Sequence, residues 1–360
     1  MAMSTQDKVK DILSLFPMQG ELKGIKINTQ GHINSTFISL FEENGREQRY
    51  THQMINSSVF PHPDQVMSNI LLVTEHIREK VKGMEDEDRR TLRVIKAKDG
   101  KPYAIDSDGM YWRTYTFIDG VKSYDRVDNE EIAYNLGLGI GTFQHQLSDF
   151  DSSKLYTVIP HFHDMAMRFQ QLRDAIKADS KGRAGSVSKE LEFLFDNEDR
   201  LSVISNSYYK NLLPSRVTHN DTKINNVLFS ERTGKALAVI DLDTIMPGTI
   251  LFDTGDMIRT ACSTADEDEK DTSLMEFSIP YYKALYEGYL DASSSFITEK
   301  ERECIKESGR TITAIMAVRF LTDYINGDTY YKTAYPEHNL VRTRTQLKLI
   351  ESMDKQWEDF

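Results

Sequence analysis

The chain of 360 residues is 39% hydrophobic and 28% charged, enough apolar material for one large domain or two of ordinary size under a normal soluble surface. Its formal net charge of −12 argues against a partner recognised through a phosphate backbone or an anionic bilayer, so neither nucleic acid nor membrane is expected. The two cysteines, Cys262 and Cys304, lie far apart without CxxC spacing and describe reduced thiols rather than a disulfide framework or a zinc site.

The opening MAMSTQDKVKDILSLFP lacks a long apolar core behind basic residues, and Val9, Ile12, Leu13 and Phe16 share one side of a short amphipathic helix. No stretch is long and apolar enough to span a membrane, so the expected compartment is the cytoplasm. Between Ile25 and Phe117 the texture is mostly that of strands. GIKINTQGHINSTFISLF carries a turn signal at Gln30-Gly31 and predicts a hairpin, with QRYTHQMI as a third strand. Pro61 and Pro63 then break the chain, Asp64 is placed to cap a helix, and Val66, Ile70, Val73 and Ile77 mark one helical face. LRVIKAKDGKPYAIDSDGMYWRTYTFI returns to strands, with turns at Asp99-Gly100 and Asp108-Gly109.

After Asp119-Gly120 the pattern becomes helical in NEEIAYNLGLGIGTFQHQL, FHDMAMRFQQLRDAIKAD and SKELEFLFDNEDRLSVISNSYY, and again from about Ser278 onward. KADSKGRAGSVS, small, polar and basic, is expected as an exposed mobile loop. The expected fold class is α+β: a small mixed β-sheet N-lobe over residues 1–118 and a larger, mainly helical C-lobe over residues 119–360 with one embedded hairpin.

The chemistry concentrates in VTHNDTKINNVLF, residues 217–229, and in ALAVIDLD shortly after. Strands before Thr218 and after Asn226 would present His219, Asp221 and Asn226 at one end, and the partner strand KALAVID ends at Asp241. An acid, an amide oxygen and a second acid suit magnesium better than zinc, because Mg²⁺ takes hard oxygen ligands and keeps water or phosphate in its shell. Asn226 and Asp241 can hold such an ion and leave Asp221 to accept a proton from a hydroxyl, the division of labour that phosphoryl transfer needs. Asp243, two residues past Asp241, shares its face if the strand persists. HFHD at 161–164 lacks a third metal ligand, and Arg319 with Asp323 has the spacing of a helix-surface ion pair.

The H-x-D-x-x-x-x-N pattern, followed by an apolar strand and I-D, resembles the catalytic signature of the aminoglycoside phosphotransferase and choline kinase superfamily, relatives of protein kinases. HNDTKINNVLF, AVIDLDTIMPGTILFDTGDMIR, GHINSTF and YPEHNLVRTRTQ are further similar to the N-acetylhexosamine 1-kinases, which phosphorylate the anomeric hydroxyl of GlcNAc or GalNAc with ATP. The likeness runs from about Gly31 to Lys348 and implies a two-lobe protein-kinase-like fold. It also implies Asp221 as catalytic base, Asn226 and Asp241 as Mg²⁺ ligands, and His219 as a brace of the loop. Gly31, His32 and Asn34 would approach the ATP phosphates, Phe117 and Ile118 would line the adenine, and Arg319 and Tyr330 would touch the sugar. No lysine stands in QRYTHQMI, where the kinase superfamily carries one; His52 and Gln53 occupy that region, and Glu75 reads as a solvated residue. The partners implied are ATP and a small-molecule sugar; the sequence does not reveal the oligomeric state, with a monomer favoured. Two alternatives stay open: a related kinase with another acceptor, such as choline, homoserine or an aminoglycoside, and a nucleotide-binding module without catalysis.

Overall fold

The computed structural model describes residues 5–28 and 34–358. In chain order the elements are α1 (Thr5–Leu13), β1 (Glu21–Asn28), β2 (Ser35–Glu43), β3 (Arg46–Met54), α2 (Pro63–Val81), β4 (Ala104–Ile105), β5 (Tyr111–Thr116) and β6 (Val121–Lys122). There follow α3 (Glu130–Gln146), α4 (Met165–Ala178), α5 (Ser188–Asp196), α6 (Glu198–Leu201), α7 (Val203–Tyr209), β7 (Arg216–Thr218), β8 (Val227–Ser230), β9 (Ala236–Val239) and β10 (Met246–Gly248). The chain finishes with α8 (Ile250–Ala261), α9 (Ile279–Ser293), α10 (Glu299–Asn326) and α11 (His338–Glu358). These group into two compact units, one of Met1–Lys122, Asp149–Ile159 and Leu228–Met246, the other of Ser123–Ser148, Pro160–Val227 and Pro247–Phe360.

In the first unit a sheet of order β1-β2-β3-β5-β4 forms from antiparallel pairs, with Phe37 opposite His52 and His52 opposite Thr114. Side chains alternate between its faces. One face carries Phe37, Phe41 and Trp112, and these bury together with Val9, Ile12, Leu13 and Phe16 from α1 and its exit. The N-terminal amphipathic helix is thus the lid of the sheet's core. Helix α2 begins two residues earlier than expected: Pro63 opens it, His62 stands at the N-cap, and Asp64 lies in the first turn. Proline has its φ preset and no N–H to leave unsatisfied, while a carboxylate in the first turn favours the positive end of the helix dipole. Val66, Ile70, Val73 and Ile77 are all buried. Asn69 on the same helix ties two later segments to it, donating to Tyr156 O (2.8 Å) and Ile245 O (2.9 Å) and accepting from Tyr156 N (2.9 Å).

In the second unit α10 is buried nearly all round, because α4, α8 and α11 pack against it. It opens on a capping box in which Thr298 and Glu301 exchange bonds, and Glu301 also takes Arg216 in a fork at 2.7 and 2.9 Å. The segment 177–188 is largely exposed, as expected, but is anchored: Arg183 binds Asp328 (2.6 Å) and Tyr324 O (2.8 Å), and Val187 is buried. Those anchors come from residues more than a hundred positions away. The stretch 188–209 is broken into the three helices α5, α6 and α7 rather than one. Among the described residues no helix is long and apolar enough to cross a membrane.

Glycine decides how α3 meets α9. A Cβ at Gly137 would lie 2.0 Å from Leu285 O, and one at Gly288 would lie 2.0 Å from Tyr134 O, so each helix is flattened where the other's backbone passes. Gly137→Ala is expected to destabilise the chain by about 1–3 kcal/mol through overpacking, whereas Gly185→Ala, with open space around its Cβ, leaves the melting temperature unchanged. Parallel thermal melts of the two variants check this.

Candidate active site

Strand β7 hands the chain directly to the loop His219–Asn226, and the loop's shape is imposed by one buried acid. Asp253, inside α8, accepts the backbone N–H of Asn220 at 2.7 Å and of His219 at 3.1 Å, plus the Gln144 amide at 3.0 Å. The Asp253 carbonyl accepts the Thr222 hydroxyl at 2.6 Å. Burial drives the Asp253 carboxyl up, while the neighbouring His219 and the N–H donors pull the other way. Asn220 is held in the left-handed region at φ 67° and bonds back to Thr218 O (3.2 Å), a conformation asparagine tolerates better than most residues.

That turn throws Asp221 outward. Its N–H donates to His219 Nδ1 (3.2 Å), so the buried His219 braces the loop. Asp221 Oδ2 takes the Asn226 amide at 3.0 Å and the Lys223 ammonium at 3.0 Å, and the same amide also donates to Asp221 O at 2.8 Å. With Nδ2 spent on Asp221, the carbonyl oxygen is the end of the Asn226 amide that points away from that carboxylate. The buried Asp256 stands within electrostatic reach of Asp221; burial raises its carboxyl and so does the Asp221 charge, while Arg259 pulls it down.

Asn226 immediately precedes β8, and Asp241 follows its hairpin partner β9 by two residues. The strand does not persist to Asp243. It ends at Val239, Asp241 adopts φ 61°, and Leu242–Thr244 closes into a 3₁₀ turn. The two acids therefore part: Asp241 is exposed and Asp243 is buried. Asp243 pairs with the buried Arg113 of β5 and accepts the Asn34 amide at 2.7 Å.

In the second unit the expected Arg319–Asp323 ion pair is not formed. Asp323 is consumed by the backbone N–H groups of Thr329 (2.9 Å), Tyr330 (2.8 Å) and Tyr331 (3.0 Å) and by the Asn339 amide (2.9 Å), which fixes the loop after α10. Arg319 instead lies over the rings of Phe162 (5.3 Å), Tyr331 (5.4 Å) and Tyr330 (5.8 Å). Arg168 is close enough that burial and the Arg319 charge lower it to about 10. Among the described residues neither arginine has a carboxylate within ion-pairing distance; Arg168 binds Gln171 Oε1 and the Phe162 carbonyl, both at 3.0 Å. His163 of the HFHD run is buried against Phe162 and Phe252, and burial together with the Arg319 and Arg168 charges depresses it well below its usual range. Its neighbour His161 binds Asp164 (2.8 Å), and no group of three or more His, Cys, Asp or Glu among the described residues is arranged to hold a metal.

A family model described as "Phosphotransferase enzyme family" matches residues 75–299, more than half of the chain. The chain belongs to this phosphotransferase enzyme family. Solved structures similar along the whole length include choline kinase from Cryptosporidium parvum Iowa II, at 14% identity and TM-score 0.56, covering 99% of this chain and 97% of that one. An aminoglycoside phosphotransferase from Alicyclobacillus acidocaldarius gives 13%, 0.55, 100% and 98%. Spectinomycin phosphotransferase in complex with ADP and spectinomycin gives 10%, 0.55, 99% and 100%. At such identities the likeness is one of fold, the kinase-like α+β fold with a small antiparallel sheet and a helical part.

Within this phosphotransferase the remaining expected residues fall as follows. Gly31 and His32 lie outside the described residues. Asn34 has both ends of its amide engaged, donating to Asp243 and accepting from Asn56 N at 3.0 Å. The Phe117 N–H is spent on Arg49 O (3.1 Å) and its ring carries the Arg49 guanidinium at 4.5 Å, while Ile118 is buried. Tyr330 is 69% exposed. Sequence reasoning missed Asp253, Arg113 and Arg168. The first two leave a trace, an acid within the apolar run ILFDTG and a cation within the aromatic run YWRTYT, since a charge so flanked is buried and paired.

Asp253→Ala would leave two backbone N–H groups of the loop unpaired at about 1–3 kcal/mol each. A lowered melting temperature together with at least a hundredfold loss of turnover is expected, checked by thermal melt and rate measurement on one preparation. An active, equally stable variant would show that the loop keeps its shape without the carboxylate.

Proposed function

We propose that this phosphotransferase moves the γ-phosphoryl group of ATP to the anomeric hydroxyl of an N-acetylhexosamine, GlcNAc or GalNAc. The observation that carries the acceptor class is the Arg319–Arg168 pair beside Phe162, Tyr330 and Tyr331, which among the described residues has no carboxylate within ion-pairing distance. A cationic acceptor such as choline, about 6 Å from one guanidinium at an effective dielectric of about 20, meets a repulsion of roughly 3 kcal/mol. Hydroxyls and an acetamido oxygen accept from the same N–H groups, and sugar faces lie against aromatic rings. The charge pattern thus favours an oxygen-rich acceptor over the amines.

In this reading Asp221 is the base. Asn226 and Lys223 fix Oδ2, which leaves Oδ1 to meet the acceptor hydroxyl. An anomeric hydroxyl is more acidic than an ordinary sugar alcohol, so a carboxylate suffices. By the family pattern that the sequence carries, Asn226 and Asp241 would be the Mg²⁺ ligands, and the ion would supply charge neutralisation across the phosphates. Phe117 and Ile118 offer an apolar edge to the adenine, with the Phe117 carbonyl rather than its N–H reading the base. The reaction is a direct in-line displacement with no phosphoenzyme.

Asp221→Asn is expected to fold and bind ATP yet lose about 10²- to 10⁴-fold in turnover, measured at saturating substrates. More than about a tenth of the wild-type rate would remove Asp221 as base. Asp241→Ala should lose Mg·ATP use beyond rescue, whereas raised Mg²⁺ partly rescues Asn226→Ala, because a neutral ligand alone holds the ion poorly; a Mg²⁺ titration of both variants decides. Finally, GlcNAc and GalNAc should turn over well, choline and homoserine poorly, and Arg319→Ala should raise the sugar KM more than the ATP KM. Phosphorus NMR of the product reads the position, since a 1-phosphate couples to the anomeric proton. A 6-phosphate, or preference for an amine-bearing acceptor, would overturn the sugar 1-kinase reading.

A further inference from the structure

The loop after α10 passes through the left-handed region at Gly327 (φ 97°) and Asp328 (φ 60°) and holds Tyr330 out in solvent. Surface loops of that kind ordinarily move, because few contacts oppose their conformational entropy. This one is clamped at the backbone. Asp323 Oδ1 accepts the N–H groups of Thr329 (2.9 Å) and Tyr330 (2.8 Å), and Oδ2 accepts the Tyr331 N–H (3.0 Å) and the Asn339 amide (2.9 Å). Asp323 is 5% exposed and each of its oxygens already carries two donors, so it serves the loop rather than a ligand.

The clamp is fixed in turn from the segment after α4. Asn339 Nδ2 also donates to Asp328 Oδ1 at 2.9 Å, and Asp328 Oδ2 takes the Arg183 guanidinium at 2.6 Å. Arg183 further donates to Tyr324 O at 2.8 Å and lies over the Tyr324 ring at 4.7 Å. Its own backbone is set by Asp179 Oδ1, which accepts the N–H groups of Arg183 (2.8 Å) and Ala184 (3.0 Å). A basic segment expected to be mobile therefore reaches the tyrosine loop through Arg183, Asp328 and Asn339.

The loop is held against the cluster assigned to the acceptor. The Tyr330 and Tyr331 rings stand 4.8 Å apart, and the Arg319 guanidinium lies over both. His163 links that cluster to the catalytic loop: burial and then the Arg319 and Arg168 charges lower it, while the backbone of Asn220, the residue before Asp221, acts on it in the opposite sense. We propose that Arg183 is a specificity-determining positioning residue, holding Tyr330 and Tyr331 at Arg319 through Asp328, Asn339 and Asp323 without touching the acceptor. A loop ordered beforehand costs an incoming ligand less conformational entropy, so the device acts on acceptor affinity. The proposal rests on the reading that Arg319 and Tyr330 meet the acceptor, and it gives Arg183 no part in binding ATP.

Four variants test it beside Arg319→Ala: Arg183→Met, the double Arg183→Met/Asp328→Asn, which leaves no orphan carboxylate, Arg183→Lys and Asp328→Asn. Each is melted without ligand and followed by amide hydrogen exchange over residues 329–331. Both KM values are then measured, with whichever of GlcNAc, GalNAc, choline, homoserine and an aminoglycoside the wild type turns over best. Arg183→Met and the double variant are expected to speed exchange at those amides and to raise the acceptor KM, each about tenfold, with the ATP KM within about twofold of wild type. Arg183→Lys, which keeps the charge, should recover part of both effects. Should the two Met variants fail to fold, Asp328→Asn, expected to raise the acceptor KM about threefold, carries the test. Folded Arg183→Met, double or Asp328→Asn variants with the wild-type acceptor KM, or with both KM values raised together, would overturn the proposal; a raised acceptor KM in Arg319→Ala would then leave the acceptor reading standing. A wild-type acceptor KM in Arg319→Ala, or a wild-type chain that turns over none of these acceptors, would remove that reading and the proposal with it.

Discussion

The loop that carries the proposed base exists because one carboxylate is buried beneath it. Asp253 offers its oxygens to the peptide N–H groups of His219 and Asn220, and its carbonyl to Thr222. A peptide forced through the left-handed region at Asn220 has to be held there by something stronger than its own preference. A buried carboxyl acceptor in a dry environment is such a hold, since its bonds exchange with no water. The outward direction of Asp221 and the turn of the Asn226 amide toward it follow from that clamp. Helix α8, which carries Asp253, is itself fixed along α10.

The first unit uses charge in a different way. Asp241 and Asp243 are near neighbours in sequence and opposite in fate, one exposed at the end of β9 and the other buried on Arg113. Two uncompensated carboxylates so close would repel each other, and the Arg113 guanidinium offsets that repulsion. The second unit supplies the opposite case in Arg168 and Arg319, half-buried cations that have no carboxylate within ion-pairing distance among the described residues.

Much of the fold could be read from residue order. The amphipathic first helix, the face Val66-Ile70-Val73-Ile77 and the turns at Gly100 and Gly109 follow local rules, and all are in place. The expected failures have a common cause. Asp64 yielded the helix start to Pro63, because the proline's fixed φ decided the first residue. The basic loop 177–188 is tied down by Asp328 and Tyr324 O, partners that nothing in the segment announces. Arg319 and Asp323 have the right spacing to pair, but the N–H groups of Thr329, Tyr330 and Tyr331 reach the acid first.

The sequence by itself determined the α+β class, the order of strands and helices, and the phosphotransferase signature, because spacing along a single loop or hairpin is local geometry. Only the tertiary structure decided which charges are spent. Asp253, Asp243 and Asp323 are taken up by backbone and arginine partners brought in from elsewhere in the chain, whereas Asp221 is half-buried and Asp241 exposed. A carboxylate's role depends on what burial leaves beside it, and distance in space between residues remote in sequence is not written in the order of the residues.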